Sequence, residues 1–498
     1  MGKIRKVLRK ALLGLLKTTE DRKVVRREER TLSIWEREIH FPNWIVITVI
    51  TLVMFWILLL KLGFSAGNIM GLLLLMAIVM AMVVSYLRKY VESLPDSPDL
   101  TMLVGLVMIF MVVIIVFISR MPEMSAYLVP SAAASILIAM LVNVPLAAIV
   151  LAILSMFVAV VNGFDFNFFF VSLVGGFTGI YTTWNVRTRK DIMKAGFWIS
   201  GANMAAILSM FLLQHEAFNK TVMNDMLCGL GNGFLSVVLT IGILPYLEEI
   251  FSIATDIKLL ELADFNQPLL RKLMIEAPGT YHHSLLVGTL AEKAAETVGA
   301  DALLTRVGAY YHDIGKLTKP EYFSENQSEL PSKHEDLTPN MSSLILISHV
   351  KDGVALAKSH RLSKSIVDII QQHHGTSLIL YFYLKALEEY KSSALEEMKY
   401  RYMGPKPRTR EAGIIMISDA VEAACRTLEE PSYDRIKDTV NKVINNKFSD
   451  GQLDECNITL LNLHRIAESF ARTMTGIYHT RVEYAESTDK KSTEENQV

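Results

Sequence analysis

A succession of long apolar runs constrains the fold of this chain more than any other feature of its sequence. A mean hydropathy of +0.31 over 498 residues indicates that part of the chain lies in a membrane. Each run is close to the roughly 20 residues that cross about 30 Å of hydrocarbon as a helix. The runs cover residues 44–62, 69–87, 101–119, 126–142, 145–162, 167–184, 196–213 and 227–246. We therefore predict a transmembrane bundle of about eight helices over residues 44–246, with an ambiguous division between the fourth and fifth.

Basic residues predict the orientation of this bundle. The stretch NVRTRKDIMK at residues 185–194 follows the sixth run, and twelve Lys or Arg residues fall within residues 1–40. Basic loops stay on the cytoplasmic side, and an even number of spans places residues 1–43 and the second half of the chain together on that side. We expect residues 1–43 to form a basic segment on anionic lipid, because the apolar run Ala11–Leu16 is too short for a signal peptide.

The predicted spans contain few charged residues. Their scarcity disfavours a transporter, whose pathway would need buried ionisable groups, and favours an anchor or a signalling bundle. The loop Lys61–Asn68 between the first two spans leaves no room for an external sensor domain. The three cysteines show neither a metal-binding spacing nor a disulfide framework, as expected for a reducing cytosol.

The second half of the chain shows helical periodicity without strand-like alternation. Residues 247–280 are predicted to couple the bundle to a cytosolic domain, with a plain tether as the alternative. They comprise a helix carrying Ile250, Ile253, Ile257 and Leu260, a break at 266–268, and a second helix at Pro268–Glu276. Residues 281–484 form the predicted cytosolic domain, and residues 485–498 are almost free of apolar side chains and are predicted to be disordered. The predicted fold class is all-α, with a polytopic transmembrane bundle followed by an all-helical domain.

Histidine and aspartate residues are concentrated in this second domain, which holds ten of the 12 histidines. Taken singly, each is more often a core or surface residue than a ligand. The set as a whole is different, because it combines two histidine-containing doublets with further His and Asp residues beside apolar helical runs. Burying so many polar side chains is costly unless a partner such as a metal ion compensates them. The candidate metal ligands are His283, His312, Asp313, His349, His373, His374 and Asp419.

The ligand types predict the chemistry of such a site. Imidazole and carboxylate together suit iron, manganese or zinc rather than magnesium or calcium, and a carboxylate such as Asp313 can bridge two cations. Two such ions would lower the pKa of a shared water, aim the resulting hydroxide at phosphorus and stabilise charge on the attacked phosphate. Asp313 and Lys316 are the catalytic candidates. Lys316 would offer a cation to the phosphate or protonate a leaving oxygen, with a solvated lysine at a helix end as the alternative.

Seven motifs surround these residues and run in order as EAPGTYHHSL (276–285), VGAYYHDIGK (307–316), ENQ (325–327), SHVKDGV (348–354), QQHHGTSL (371–378), GPKP (404–407) and SDAVEAA (418–424). These motifs resemble those of HD-domain phosphohydrolases, and specifically the PgpH-type membrane HD-domain (7TM-HD) phosphodiesterases that hydrolyse cyclic di-AMP. The resemblance is close over residues 246–430 and weaker, mainly in hydropathy, over 69–246.

The resemblance implies a role for each candidate ligand. One metal would be held by His283, His312, Asp313 and Asp419. Asp313 would bridge to a second metal, held by His349 and His373, with His374 at or near the site. The metals would be iron or manganese, and the product would be linear pApA. His282 would be structural or would support a ligand, and His334 would lie in a loop over the site.

Two departures from related sequences refine this expectation. Relatives that cleave cyclic di-GMP carry GYP after the histidine doublet, whereas Gly375-Thr376-Ser377 follows here, which favours the adenine dinucleotide. The family usually places a large extracytoplasmic domain after the first span, where this chain has only Lys61–Asn68. Sensing by such a domain is therefore not expected, and the localisation implied is a bacterial inner membrane with a cytoplasmic HD domain.

Alternative functions stay open at this stage. The domain could be an HD nucleotidase that acts on mononucleotides or guanosine tetraphosphate, or a non-catalytic receptor for the dinucleotide, although a receptor has no need of every ligand. The expected partners are the cyclic dinucleotide and the lipid bilayer, without a nucleic-acid polymer, and a homodimer is allowed for. Substrate contacts are unassigned among residues of stacking or phosphate-binding type, namely Tyr310, Tyr311, Arg401, Tyr402, Lys406 and Arg408.

Overall fold

The structure is a computed structural model that describes residues 43–90, 98–122, 124–215, 218–327, 332–390 and 396–478. Within these ranges every named element is helical, apart from one antiparallel bridge between Leu378 and Arg401. The predicted all-α fold class is therefore confirmed. Apart from Asn43, the predicted basic segment 1–43 and the predicted tail 485–498 lie outside the described residues.

The first part of the chain forms a series of apolar helices. They are α1 Asn43–Leu62, α2 Ala66–Tyr90, α3 Pro98–Ile118, α4 Ser131–Leu141, α5 Val144–Val161, α6 Phe166–Thr182, α7 Arg189–Leu213 and α8 Lys220–Ile250. In the described ranges, α1, α3, α5, α7 and α8 are long and apolar enough to cross a membrane, whereas α2, α4 and α6 offer shorter apolar stretches. The number of spans thus stays a prediction.

The fourth predicted run, 126–142, does not form one continuous helix. A 3-10 turn at Ala126–Leu128 precedes α4, and Pro130 stands between the two as the residue before the first turn of α4. Proline cannot donate the backbone hydrogen bond that a helix interior needs, which explains the interruption. The 11-residue α4 that remains is shorter than the bilayer core.

The chain divides into two compact units, one comprising Met1–Val129 and Ala152–Phe166, the other Pro130–Leu151 and Asn167–Val498. In the first unit α1 packs against α2 and α3. Lys61 at the end of α1 donates through Nζ to the carbonyl oxygen of Ser119, 2.9 Å away just after α3. This bond satisfies a carbonyl that the end of α3 would otherwise leave unpaired.

In the second unit α7 packs closely against α8 because small residues lie along both helices. Gly196 and Ser200 of α7, four residues apart, both face Gly233 of α8. Ser200 Oγ donates to the carbonyl of Leu230 at 2.7 Å. Small residues at this spacing let two helix backbones approach, as is common for helices in lipid.

The coupling segment differs in one respect from the prediction. Helix α8 ends at Ile250, Ser252 has a left-handed φ of 51°, and the chain becomes helical again only at α9, Asp256–Leu262. The prediction of one helix through Ile253 was therefore wrong. The hydroxyl of Thr255 accepts from the backbone N–H of Lys258, and such N-caps start a new helix rather than continue an old one. The next helix, α10, has the predicted bounds Pro268–Glu276.

The remaining helices form the domain that carries the histidines. They are α11 Pro278–Val298, α12 Ala302–Tyr311, α13 Pro339–Ser359, α14 Lys364–Gln372, α15 Leu380–Tyr390, α16 Arg410–Arg426, α17 Tyr433–Ser449 and α18 Leu460–Tyr478. Helix α11 packs against α12, α16 and α18. One apolar cluster fills the space between α11, α16, α17 and α18, and another lies between α9, α10, α12 and α14.

Several hydrogen bonds tie the coupling segment to this domain, and two of them involve helices that lead to candidate ligands. The backbone N–H of Lys364, at the start of α14, donates to the carbonyl of Ser252 at 3.0 Å. The hydroxyl of Tyr311, at the end of α12, donates to the carbonyl of Leu262 at 2.9 Å. Both helices that receive a tie lead directly into candidate ligands, since His312 follows α12 and His373 follows α14.

The close contact of α7 and α8 generates a stability prediction. A Cβ at Gly233 would lie 2.5 Å from the carbonyl oxygen of Gly196 and 2.6 Å from the backbone nitrogen of Ser200. Gly233→Leu should therefore destabilise the protein by about 1–3 kcal/mol, the usual cost of overpacking. Thermal unfolding in detergent measures this. Gly242→Leu on the same helix, where nothing lies within 4 Å, is the control, and equal melting temperatures would contradict the packing.

Candidate metal centre

The seven predicted ligands come from five segments that meet in the helical domain. His283 lies in the second turn of α11, His349 in the middle of α13 and Asp419 in the middle of α16. The two doublets occupy helix ends: His312-Asp313 follows α12, and His373-His374 follows α14. Three helices and two helix ends converge here, which brings the seven side chains together.

Their ligand atoms form two groups, each within 4.8 Å. One group comprises Asp313, His349, His373 and His374, and the other His283, His312 and Asp419. His312 and His373 are 0% exposed and Asp313 is 1% exposed. Polar side chains so far from water need another partner, which is the situation expected of metal ligands.

The carboxylate of Asp313 lies between the two groups. Its Oδ1 is 3.3 Å from His349 Nε2 and 3.6 Å from His373 Nε2. Its Oδ2 is 3.2 Å from His312 Nε2 and 3.7 Å from His283 Nε2. One oxygen therefore faces each group, which is the arrangement of a bridging carboxylate.

In three of the predicted histidine ligands, the ring nitrogen that faces away from Asp313, Nδ1, has a fixed hydrogen-bond partner. The Nδ1 atoms of His312, His349 and His373 lie 2.7, 2.5 and 2.8 Å from the carbonyl oxygen three residues earlier in the chain. A carbonyl can only accept, so each Nδ1 carries the proton and each Nε2 presents a lone pair. All three lone pairs point toward Asp313, which is the tautomer and direction that metal binding needs.

In His283 the hydrogen-bond partner of Nδ1 is a side chain rather than a backbone carbonyl. Its Nδ1 lies 2.6 Å from Oε2 of Glu422, which is buried on α16 and also pairs with Arg426. A carboxylate hydrogen-bonded to a ligand imidazole fixes the ring and increases its basicity. Glu422 was missed in the sequence, although its position three residues after Asp419 places both on one face of α16.

Unpaired buried atoms support a cation at this site. In the described part of the chain, His312 Nε2 and Asp313 Oδ1 are buried without a hydrogen-bond partner. The nearest neighbours of Asp313 Oδ1 are other lone pairs, those of His349 and His373, so the cluster cannot satisfy itself internally. Imidazole nitrogens and carboxylate oxygens in this number fit divalent transition metals. The donor set and its geometry therefore fit a metal centre.

Local charges set the protonation of the cluster. Burial raises the pKa of Asp313, but His312 and Lys316 outweigh it and hold this pKa well below its usual range. Burial lowers the pKa of His373 to about 4, so its imidazole is neutral near pH 7. Burial opposes the charged form of His283 too, yet the carboxylates of Asp419 and Glu422 raise its pKa to about 9. A cation bound by His283 would therefore displace a proton.

Lys316 is attached to the cluster rather than solvated. Its Nζ lies 2.7 Å from Asp313 Oδ2 and 2.6 Å from Glu325 Oε1. Its 3-10 turn, Ile314–Thr318, can approach α13 only because residue 315 is glycine, where a Cβ would lie 1.8 Å from the carbonyl oxygen of His349. The alternative of a solvated lysine is thus excluded. Glu325 belongs to the ENQ motif, but no role was predicted for it, because no periodicity marks the short turn Ser324–Asn326.

Of the unassigned aromatic and basic candidates, only Tyr402 contacts a predicted ligand. Its ring stacks on that of His374 with centroids 4.2 Å apart. Tyr311 is a core residue, Tyr310 packs against Phe265, and Arg401 pairs with Asp450. Lys406 and Arg408 form ion pairs with Asp454 and Glu455 on the surface.

Two further histidines for which the sequence predicted a role or position, His282 and His334, do not join the cluster. His282 is exposed on α11, so the expectation that it supports a ligand is not met. His334 contacts the carbonyl of Tyr322 through Nε2 at 2.7 Å and packs against Phe382. Its role is therefore to hold the loop after the 3-10 turns against α15.

Comparisons with known proteins agree with the order of these parts. Residues 67–255 match the family model described as a 7TM receptor with intracellular HD hydrolase, and residues 280–424 match the HD domain. The chain is 41% identical over 433 residues to the cyclic-di-AMP phosphodiesterase PgpH of Bacillus subtilis, a match that covers 85% of this chain and 61% of the relative. It is 39% identical over 394 residues to PgpH of Listeria monocytogenes, covering 78% of this chain and 54% of the relative.

A crystal structure of the L. monocytogenes PgpH HD domain in complex with cyclic-di-AMP is 47% identical, covers 44% of this chain and 100% of that chain, and gives a TM-score of 0.42. The chain spans 61% and 54% of the length of the two curated relatives. The membrane and HD family models occur in the expected order, and the identity extends through both. The chain therefore resembles the PgpH-type membrane HD-domain proteins over most of its own length.

Proposed function

We propose that this protein is a membrane-anchored, metal-dependent phosphodiesterase that hydrolyses cyclic di-AMP to linear pApA. The observation that carries the proposal is the position of Asp313, with one carboxylate oxygen toward each of two groups of ligands. Two cations bridged in this way are suited to in-line attack on a phosphodiester. The named activity of both PgpH relatives supports cyclic di-AMP as the substrate.

We assign one metal to His283, His312, Asp313 and Asp419, and the second to Asp313, His349 and His373, with His374 beside it. Mixed imidazole and carboxylate ligands favour iron or manganese. When bound, such ions supply Lewis acidity that activates a water and neutralises charge on the attacked phosphate. The protein contributes the three backbone-fixed tautomers and the Glu422 contact that orient the imidazoles before any metal binds.

Lys316 supplies positive charge to the phosphate in this proposal. Burial disfavours its ammonium, but Asp313 and Glu325 outweigh that effect and raise the pKa of Lys316 above its ordinary value. An amine that holds its proton so firmly is a poor general acid, so the role of electrostatic stabilisation is favoured over protonation of the leaving oxygen. Two of its three N–H donors are used by the carboxylates, which leaves one for a phosphate oxygen.

The same reasoning extends to topology. We propose that residues 44–246 form the membrane bundle, 247–280 the coupling segment and 281–484 an HD domain on the cytoplasmic side of a bacterial inner membrane. Arg189, at the start of α7, pairs with Glu261 of coupling helix α9 at 2.8 Å, so the basic loop and the coupling segment share one side. The positive-inside rule makes that side cytoplasmic. A homodimer stays a prediction.

The bridging position of Asp313 gives the first test. Full-length protein purified anaerobically in detergent should convert cyclic di-AMP to pApA with Mn²⁺ or Fe²⁺ and should bind about two such ions per chain. Asp313→Ala should abolish turnover and lower the metal content, as measured by product chromatography and elemental analysis. Asp438→Ala, at an exposed position of α17, is the matched control. Undiminished turnover by Asp313→Ala would refute the assignment.

Glu422 gives a second test, independent of turnover. Glu422→Gln keeps the size of the side chain but weakens the bond that orients His283, so metal affinity should fall by about 10–100-fold, as for other carboxylates that support a ligand imidazole. Competition with a fluorescent chelator measures the affinity. Exposed Glu429→Gln should match the unsubstituted protein. An unchanged affinity for Glu422→Gln would show that His283 does not depend on this contact.

Lys316 gives a third test. Lys316→Met removes the cation while leaving all seven ligands, and should lower kcat by about 10²–10³-fold, the usual effect of losing one electrostatic donor. Metal content should stay the same, and Lys316→Arg should restore part of the rate because it restores the charge. If kcat falls only in proportion to a loss of metal, Lys316 merely positions Asp313.

A further inference from the structure

A cavity of about 270 Å³ adjoins the proposed metal centre on the side of His374. Its lining comprises Ile347, Val350, Lys351, Val354, Gln371, His374, Gly375, Tyr402, Met403 and Gly404. The apolar wall comes from α13, where Ile347, Val350 and Val354 lie on one face at helical spacing. His374 and Tyr402, stacked on each other, form the aromatic wall. A slot between aliphatic and aromatic walls suits a flat, aromatic ligand.

Two exposed polar side chains at the rim of this cavity have no side-chain partner among the described residues. Neither the amide of Gln371 nor the ammonium of Lys351 makes a side-chain hydrogen bond or ion pair with the described residues. By contrast, neighbouring Gln372 accepts from the backbone N–H of Arg408 at 2.9 Å. Apolar walls with a few unpaired polar groups at their edge are the usual composition of a small-molecule site.

The size of the cavity limits what it can hold. Pockets for a whole drug-sized ligand measure roughly 300–1,000 Å³, so 270 Å³ suits part of a cyclic dinucleotide, such as one base with its sugar. His374 belongs both to the cavity wall and to the four-residue ligand group. A base held against His374 therefore brings its attached phosphate to the proposed metal centre.

We propose that this cavity, between α13 and the His374–Tyr402 pair, binds one adenine of the substrate, with the Gln371 amide reading its edge. The proposal rests on the proposed function. A glutamine amide offers one acceptor and one donor side by side, which match the amino group and ring nitrogen of adenine; the corresponding edge of guanine presents two acceptors. Gln371 thus selects the base, while the stacked rings supply affinity for any base.

The test compares three substrates with the full-length protein in Mn²⁺: cyclic di-AMP, cyclic di-GMP and bis(p-nitrophenyl) phosphate, which has no base. Gln371→Leu should lower kcat/KM for cyclic di-AMP by about 10–100-fold, as expected for loss of a bidentate base contact. The ratio of adenine to guanine turnover should fall by the same factor. The rate on bis(p-nitrophenyl) phosphate should stay within about twofold, because no interaction with a base is involved.

A second variant tests the space itself. Val350→Phe fills the cavity and should raise KM for cyclic di-AMP, again without affecting the substrate that lacks a base. Lys364→Met is the matched control, since Lys364 is exposed on the same helix as Gln371, two turns earlier and outside the cavity. It should leave all three rates unchanged.

The outcomes separate this inference from the proposed function. An unchanged adenine-to-guanine ratio in Gln371→Leu, or an equal loss on bis(p-nitrophenyl) phosphate, would overturn the base site while leaving the phosphodiesterase intact. Failure of the unsubstituted protein to cleave cyclic di-AMP would instead contradict the proposed function. In that case calorimetric binding of cyclic di-AMP to both proteins still decides: weaker binding by Gln371→Leu supports the base site, and equal or absent binding overturns it.

Discussion

The helical domain depends on one constraint, the position of the buried carboxylate of Asp313. The ammonium of Lys316 favours its buried charge, whereas the imidazole lone pairs around its oxygens cannot donate to it and leave it in need of a cation. Holding that arrangement requires five chain segments to arrive at one point. The packing of α11 against α12, α16 and α18, and of α13 against α14, is what brings them there. In this domain the packing of the helices therefore also determines the geometry of the site.

Much of the site could be predicted because its residue types are expensive in an apolar setting. A doublet such as His312-Asp313 beside a buried helix indicates a ligand before any geometry is known. The partition into two groups, by contrast, came from the resemblance, and the structure supports it through distances that no spacing encodes. Glu422 could have been found from its helical register with Asp419. The ENQ motif marked Glu325, but its contact with Lys316 could not be predicted, since Glu325 belongs to a 3-10 turn whose sequence has no periodic signal.

The fold shows the same division between periodic and local signals. Apolar runs located the membrane helices, but Pro130 shortens α4, and a left-handed Ser252 interrupts the helix predicted through Ile253. Both departures depend on the conformation of single residues, which a window of hydropathy averages away. The cavity beside His374 was also beyond reach, because α13, α14 and the segment 402–404 meet there only in three dimensions.

The hydrogen bonds of the outer imidazole nitrogens have an evolutionary consequence. For His312, His349 and His373 the partner is a main-chain carbonyl in the same helical turn, and no substitution elsewhere can delete a carbonyl. For His283 the partner is the side chain of Glu422, which one nucleotide change can remove. Of these four imidazoles, three are therefore oriented by the backbone and one by a replaceable side chain. Natural variants that tune the site while keeping its ligands should accumulate at Glu422.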